Sequence, residues 1–321
     1  MKILWAIDPF AKDKSFQRSS AWAVRSLAKS PDQTAWVEPV YCREVASLDP
    51  VLELAPDLSA ELTEETRTAA DQEMGDITRR IRIPGLQPMQ VLLIPSGNLR
   101  RTAQTLIDYA KRVKADVIVV STRAHKGVSR WIMGSFAETL LLYSDVPLFI
   151  VNPKWDRSVD LKHILFPTDF SDESHKAFQQ VMQFAKPRRS EITIFHKVGY
   201  ELTPGLDVAF SAYAAYREYY EQDILAREEQ GEAWANEARK AGLKANAILD
   251  TQLGGSASEA ILKITKKRDG IIAMAAQSGP VSAALTGSTA RQIVRLASLP
   301  LWIIHPNPKV ASRKQAGRKA A

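Results

Sequence analysis

The chain has 321 residues, 45% of them apolar and 25% charged, with a formal net charge of +7 and a single cysteine, Cys42. That length suits two domains of about 150 residues each, the composition is that of an ordinary folded protein, and one cysteine excludes an intramolecular disulfide framework. No apolar run reaches the roughly 18 residues of a membrane span, and Met1-Lys2-Ile3-Leu4-Trp5 enters a strand directly, leaving no room for a signal peptide, so a cytoplasmic address without a membrane partner is expected.

The positive charge is unevenly placed. The segment from Asn307 onward holds Lys309, Arg313, Lys314, Arg318 and Lys319 and no acid, which leaves only +2 of the +7 to the rest of the chain. A nucleic-acid partner is therefore not expected. The tail reads as a solvated, disordered terminus, or as an electrostatic tether to nucleic acid or a membrane surface.

In chain order, Lys2–Asp8 is a strand, Pro9–Phe16 a loop, and Ser19 or Ser20 starts a helix through Ala21, Val24 and Leu27. Thr34–Tyr41 is a second strand, in which Pro39 predicts a bulge or an end, and Cys42 follows as a structural thiol. A polar helix runs from about Ser59 to Arg82, acids first and arginines last, as the helix dipole favours. Strand Gln90–Pro95, the turn Ser96-Gly97-Asn98, helix Leu99–Val113 and strand Asp116–Val120 follow. The loop Ser121 to Ser135 leads into helix Phe136–Tyr143, and strand Pro147–Val151 completes βαβαβαβαβ.

That loop carries Arg123, His125, Lys126, Gly127 and Arg130 and ends in Gly134-Ser135. Free backbone N–H groups at a helix start make an anion site, and glycine lets a phosphate approach the backbone. The competing reading is an ordinary βα loop in which Ser135 is only a helix cap. His125 either stacks and donates or is merely solvated.

After the linker, Asn152 to Ser158, the order repeats. Strand His163–Asp169 leads to a helix capped within Phe170-Ser171-Asp172-Glu173-Ser174. Then come strand Glu191–Val198, a segment with Phe210, Tyr213, Tyr216, Tyr219 and Tyr220 near helical spacing, a long helix to about Ala241 and strand Lys244–Asp250. The aromatic stripe reads as core or partner interface. Leu253-Gly254-Gly255-Ser256 opens helix Ala257–Lys267, and a last strand, loop, helix and strand carry Gly287-Ser288 before Pro300–Ile304. The starts match (Lys2–Asp8 against His163–Asp169), and so do the ends, so the chain is a tandem duplication. The division expected is domain 1 at 1–153, linker 154–160, domain 2 at 161–306 and basic tail 307–321. Alternating strands and helices imply α/β architecture with ligands at the strands' carboxyl ends, where Asp8, Gly97 and the Ser121–Ser135 loop all fall.

Asp8 and Asp169, with Gly134-Ser135 and Gly287-Ser288, carry a family resemblance. The chain resembles a tandem universal stress protein, with two copies covering nearly all of it. The resemblance implies two tandem doubly wound five-stranded parallel-sheet domains, Rossmann-like and adenine nucleotide alpha hydrolase-like. Nucleotide-binding members of that family carry an Asp ending the first strand and a loop with Gly, two residues, Gly, nine residues, then Gly and Ser or Thr. At the first two glycine positions this chain has Ser121 and Ala124 in copy one, and Met274 and Gln277 in copy two.

The resemblance implies a stress-response regulator or sensor binding ATP or a related adenine nucleotide, with Mg²⁺ as an accompanying ion, mainly in domain 1. Asp8 would hold ribose hydroxyls or a water on Mg²⁺; Gly97, Ser121, Ala124, Gly127 and Gly134 would line the site; Ser135 would donate to phosphate; and Arg123 and His125 would meet charge. Asp169, Gly287 and Ser288 are the weaker set in domain 2. The alternative is an interaction or scaffold protein with vestigial pockets. Catalytic motifs such as Gly-x-x-x-x-Gly-Lys-Ser/Thr, Gly-x-Ser-x-Gly and His-Glu-x-x-His are absent, so a dedicated enzyme is not expected and slow ATP hydrolysis is the upper bound. The last strands of the two copies are expected to pair within one chain as an internal pseudo-dimer, and a homodimer of whole chains stays open.

Overall fold

The computed structural model describes residues 1–30, 34–45, 56–94, 98–122, 135–153, 155–199, 210–252, 254–266, 269–276 and 288–305. Copy one comprises β1 (Lys2–Ala6), α1 (Ser15–Ala28), β2 (Trp36–Glu44), α2 (Pro56–Ile81), β3 (Gln90–Ile94), α3 (Leu99–Arg112), β4 (Val117–Ser121), α4 (Ser135–Tyr143) and β5 (Leu148–Val151). Copy two comprises β6 (His163–Pro167), α5 (Asp172–Arg188), β7 (Glu191–Lys197), α6 (Phe210–Lys240), β8 (Lys244–Asp250), α7 (Ala257–Thr265), β9 (Ile271–Ala275), α8 (Ser288–Leu296) and β10 (Leu301–Ile304).

All ten strands form one sheet in the order β3-β2-β1-β4-β5-β10-β9-β6-β7-β8. Within each copy every described pairing is parallel. The copies meet where β5 and β10 pair antiparallel, with Leu301 opposite Ile150, Trp302 opposite Phe149 and Ile303 opposite Leu148. This is the pairing of last strands within one chain that the family resemblance implied.

Strands buried on both faces explain the continuous apolar runs. Along β4, Val117 and Val119 face one core, while Ile118 and Val120 face the other. The first core lies under α1, α2, α5 and α6, the second under α3, α4, α7 and α8, and each takes residues from both copies. Trp155, in the connection between the copies, packs against both cores. Among the described residues, no helix is long and apolar enough to cross a membrane.

Several helix starts follow from capping. Ser171 accepts from Ser174 N, as the Ser-rich turn predicted, Asn98 accepts from Arg100 N, and Ser256 and Glu259 form a reciprocal capping box. Two expectations are corrected. Helix α1 begins at Ser15, a turn before Ser19, because the Asp13 carboxylate takes the Ser15 N–H at 2.9 Å. Pro39 neither ends nor bulges β2, whose register against β1 runs without a skip from Trp36 to Val40. Its missing N–H faces the side where β3 has not yet begun, since the β2–β3 ladder starts at Val40 opposite Gln90.

In the aromatic stripe of α6, Tyr219 is 70% exposed and so is not core, while the Tyr220 hydroxyl donates to the Thr251 carbonyl at 3.2 Å. The side chains of Phe210, Tyr213 and Tyr216 lie outside the described residues.

Candidate functional site

The carboxyl ends of β1, β2 and β4 open on a cavity of about 430 Å³ in copy one. Such an edge is where an open parallel sheet leaves room, because neighbouring helices depart to opposite faces. Asp8 and Ser121, far apart in sequence, both line it. Helix α1 contributes Phe16 and Ser20, α3 Leu99 and Thr102, and α4 Phe136 and Ala137.

Each polar group is fixed locally. Gln17, fully buried, donates Nε2 to the carbonyls of Asp8 at 2.7 Å and Pro9 at 2.9 Å, holding the turn after β1. Asp8 Oδ1 accepts from Phe10 N at 3.1 Å. Ser121 Oγ lies 3.0 Å from Ser19 Oγ and 3.2 Å from the Val151 carbonyl. Ser20 accepts from the indole N–H of Trp5 at 2.9 Å, tying the cavity wall to the core. Arg43, at the end of β2, donates to the Thr66 hydroxyl of α2.

Burial, and then the nearby Asp8 carboxylate, push the Tyr41 hydroxyl above its usual range. Burial alone pushes the Cys42 thiol up to about 12, so it stays protonated and inert, which agrees with a structural role. The cavity thus combines aromatic and aliphatic walls, one carboxylate on the β1 turn, an acid and a base at Arg43–Glu44, and hydroxyls at Ser20, Thr102 and Ser121.

Ser135 is the first residue of α4, directly before the two α4 residues that line the cavity. That end brings backbone N–H groups with no intrahelical partner to the rim. Gly97, Arg123, Ala124, His125, Gly127 and Gly134 lie outside the described residues, as does Gly287. Tyr41, Arg43, Phe16, Thr102 and Phe136 were not singled out from sequence. Arg43 was missed because β2 runs three residues past the expected strand end.

Copy two differs at several corresponding places. Asp169 Oδ1 takes three donors, Ser171 N at 3.0 Å, Ser171 Oγ at 2.7 Å and Ser174 Oγ at 2.6 Å. Burial raises its pKa, but the hydrogen bonds from Ser174 and Ser171 outweigh burial and hold the carboxyl below the usual range. By strand register, His196 stands at the place of Tyr41 and Lys197 at that of Cys42. Lys197 Nζ, on a side chain only 6% exposed, lies 3.6 Å from Asp250 Oδ1 and donates to the Gln252 carbonyl. His196 Nδ1 meets the Thr168 carbonyl at 2.7 Å, and burial pushes the ring's pKa down.

Register also corrects one correspondence. Ile3 pairs with Val117 and its counterpart Ile164 pairs with Ile271, which puts Ala275, not Met274, at the place of Ser121. Met274 points into the second core instead. The segment from Ala275 to Ser288 is one residue shorter than that from Ser121 to Ser135, and this shift misled the spacing. Ser288 begins α8 as Ser135 begins α4.

Doubly wound halves of strand order 3-2-1-4-5, repeated and joined through their last strands, define the class. The chain belongs to the universal stress protein family, whose model matches residues 1–152 and again 160–305. It is similar in fold to the crystal structure of a universal stress protein from Archaeoglobus fulgidus, with a TM-score of 0.62 at 16% identity over 95% of this chain and 98% of that one. A functionally unknown protein from Pseudomonas aeruginosa PAO1 gives a TM-score of 0.57 at 15% identity over 99% and 97% of the two chains. No curated protein matches the chain.

Proposed function

We propose that this universal stress protein binds ATP or a related adenine nucleotide in copy one and acts as a sensor or regulator in the stress response. The observation that carries the reading is the copy-one cavity, which brings Asp8 and Ser121 together beside Phe16, Tyr41 and Phe136. A volume of about 430 Å³ lies within the usual range for small-molecule sites. Aromatic and aliphatic walls suit a base, the Asp8 carboxylate suits ribose hydroxyls, and the start of α4 suits phosphate. A carboxylate with phosphate oxygens and waters is also an ordinary donor set for Mg²⁺, and Asp8 fits that role. Within this proposal Gly97, Arg123, Ala124, His125, Gly127, Gly134 and Ser135 complete the phosphate side.

Copy two takes the scaffold role. Asp169, whose Oδ1 already takes three donors from Ser171 and Ser174, and a Lys197 ammonium on a nearly buried side chain where copy one has Cys42, support that assignment.

Thermal unfolding with ATP, ADP and GTP tests the reading. Adenine nucleotides are expected to stabilise the chain, by about 2.7 kcal/mol at a concentration one hundred times Kd, and Asp8→Ala is expected to remove the effect. No shift at millimolar adenine nucleotide would contradict it.

A further inference from the structure

Helix α1 is bonded to both halves of the chain. At its first turns, Phe16 and Ser20 line the copy-one cavity, and Ser19 Oγ lies 3.0 Å from Ser121 Oγ. At its last turn, Ser26 Oγ accepts from Val159 N at 2.9 Å in the connection, and the Leu27 carbonyl accepts from Arg188 Nη2 at 3.1 Å. Arg188 is the last residue of α5, in copy two. Seven to eight residues separate Ser19 from Ser26 and Leu27, so these two sets of bonds are separated by roughly 11 Å of a stiff rod.

The far contact is closely built. The Arg188 guanidinium lies 3.9 Å over the Phe184 ring and donates Nη1 to the Phe184 carbonyl at 3.1 Å. Its Nε is buried with no hydrogen-bond partner, and burial lowers its pKa to about 10. A half-buried cation therefore sits between the carboxyl ends of α1 and α5, where both helix dipoles are negative. Between the ends, α1 seats on the sheet through Ala21, Ala23, Val24, Leu27 and Ala28, mostly small residues. Directional bonds at the two ends add to this packing in fixing its position along the sheet.

The near contact has two arrangements. Ser19 Oγ lies 3.0 Å from the Phe16 carbonyl and 3.0 Å from Ser121 Oγ, and its single proton serves one of them at a time. Ser121 Oγ also reaches the Val151 carbonyl at the end of β5, the seam strand. An anionic or hydroxyl ligand oxygen that accepts the Ser121 proton forces Ser19 either to turn its own proton to Ser121 or to give up the contact.

We infer that α1 couples the copy-one cavity to copy two: filling the cavity displaces Phe16, Ser19 and Ser20, and the displacement is read at Val159 in the connection and at Arg188 of copy two. This concerns regulation of the site proposed above and rests on that reading for the identity of its ligand. Coupling of this kind is reciprocal, so a change at Arg188 alters ligand affinity although Arg188 is outside the cavity.

The test is hydrogen exchange on the full chain with and without ATP and Mg²⁺, joined to calorimetric ATP affinities for wild type and Arg188→Met. A third arm measures Ser19→Ala without ligand. Coupling predicts that ATP changes exchange at residues 155–161 and 184–190, that Arg188→Met shifts the ATP Kd by at least about fivefold, and that Ser19→Ala alone changes exchange at 184–190. ATP binding with changes confined to copy one, an unaltered Kd and no effect of Ser19→Ala at 184–190 would overturn it. If ATP does not bind but Ser19→Ala still reaches 184–190, the coupling stands and the nucleotide reading falls. If neither ATP nor Ser19→Ala has any effect, both fall.

Discussion

Phe149 of β5 and Trp302 of β10 face each other across the seam between the copies. They are also counterparts, since Leu148 and Leu301 hold the same register against β4 and β9. The internal two-fold relation of the chain therefore passes between these two residues. Phe149 is almost fully buried and Trp302 is packed by Phe184, whose ring centre lies 4.6 Å away. Trp302→Ala should reduce stability by about 3–5 kcal/mol and separate the unfolding of the two copies. Chemical denaturation followed by probes in each copy checks this. A single transition with an unmoved midpoint would contradict it.

His305 follows β10 at the same seam, is buried, and has no hydrogen-bond partner at either ring nitrogen. Burial pushes its pKa down to about 4, and the Asp145 carboxylate, paired with Lys111 at 2.9 Å, opposes the shift only in part. A histidine whose folded pKa is depressed binds its proton more readily when unfolded. Stability should therefore be fullest above about pH 6.5 and fall towards pH 4, by up to about 3 kcal/mol from this group. His305→Leu should flatten that slope while keeping stability at pH 7.5. Denaturation midpoints between pH 4 and 7.5 decide it, and an unchanged slope in the variant would refute the assignment.

Asp169 acts in a lower window. Its depressed pKa means that it stabilises the fold above its ordinary titration range and that this is lost as pH falls through the folded value, below about 4. Asp169→Ala should reduce stability by about 0.5–1.5 kcal/mol at neutral pH, because the donors of Ser171 and Ser174 exchange the carboxylate for water. ATP affinity should be unaltered. A large loss of ATP binding in this variant would place the nucleotide in copy two.

The Cys42 thiol lines the cavity, yet burial keeps it protonated. Alkylation by iodoacetamide at pH 7.5 should be slow in the native chain and fast in denaturant. A native rate equal to that of a free thiol would show that the wall of β2 opens readily.

The duplication was legible because it rests on repeated apolar runs, Asp8 with Asp169 and Gly134-Ser135 with Gly287-Ser288, and the pairing of last strands followed from the family resemblance these residues carry. Spacing failed where one residue had been lost. Met274 was matched to Ser121 only by counting back from Gly287, whereas strand register gives Ala275. Pro39 was misread because proline's missing N–H matters only on the side that pairs, and β3 begins one residue later. The start of α1 was placed late because Asp13, not a serine, supplies the first acceptor. Arg43 escaped notice because no motif marks a residue that lines the cavity only when its strand runs on past the expected end.

The most direct measurement is calorimetric titration of ATP with Mg²⁺ into the full chain, Asp8→Ala and Asp169→Ala. One saturable site per chain, abolished by Asp8→Ala and retained in Asp169→Ala, is the result expected of a sensor whose live pocket is in copy one. Two sites per chain, or binding indifferent to Asp8, or no heat at millimolar ATP, would contradict that account.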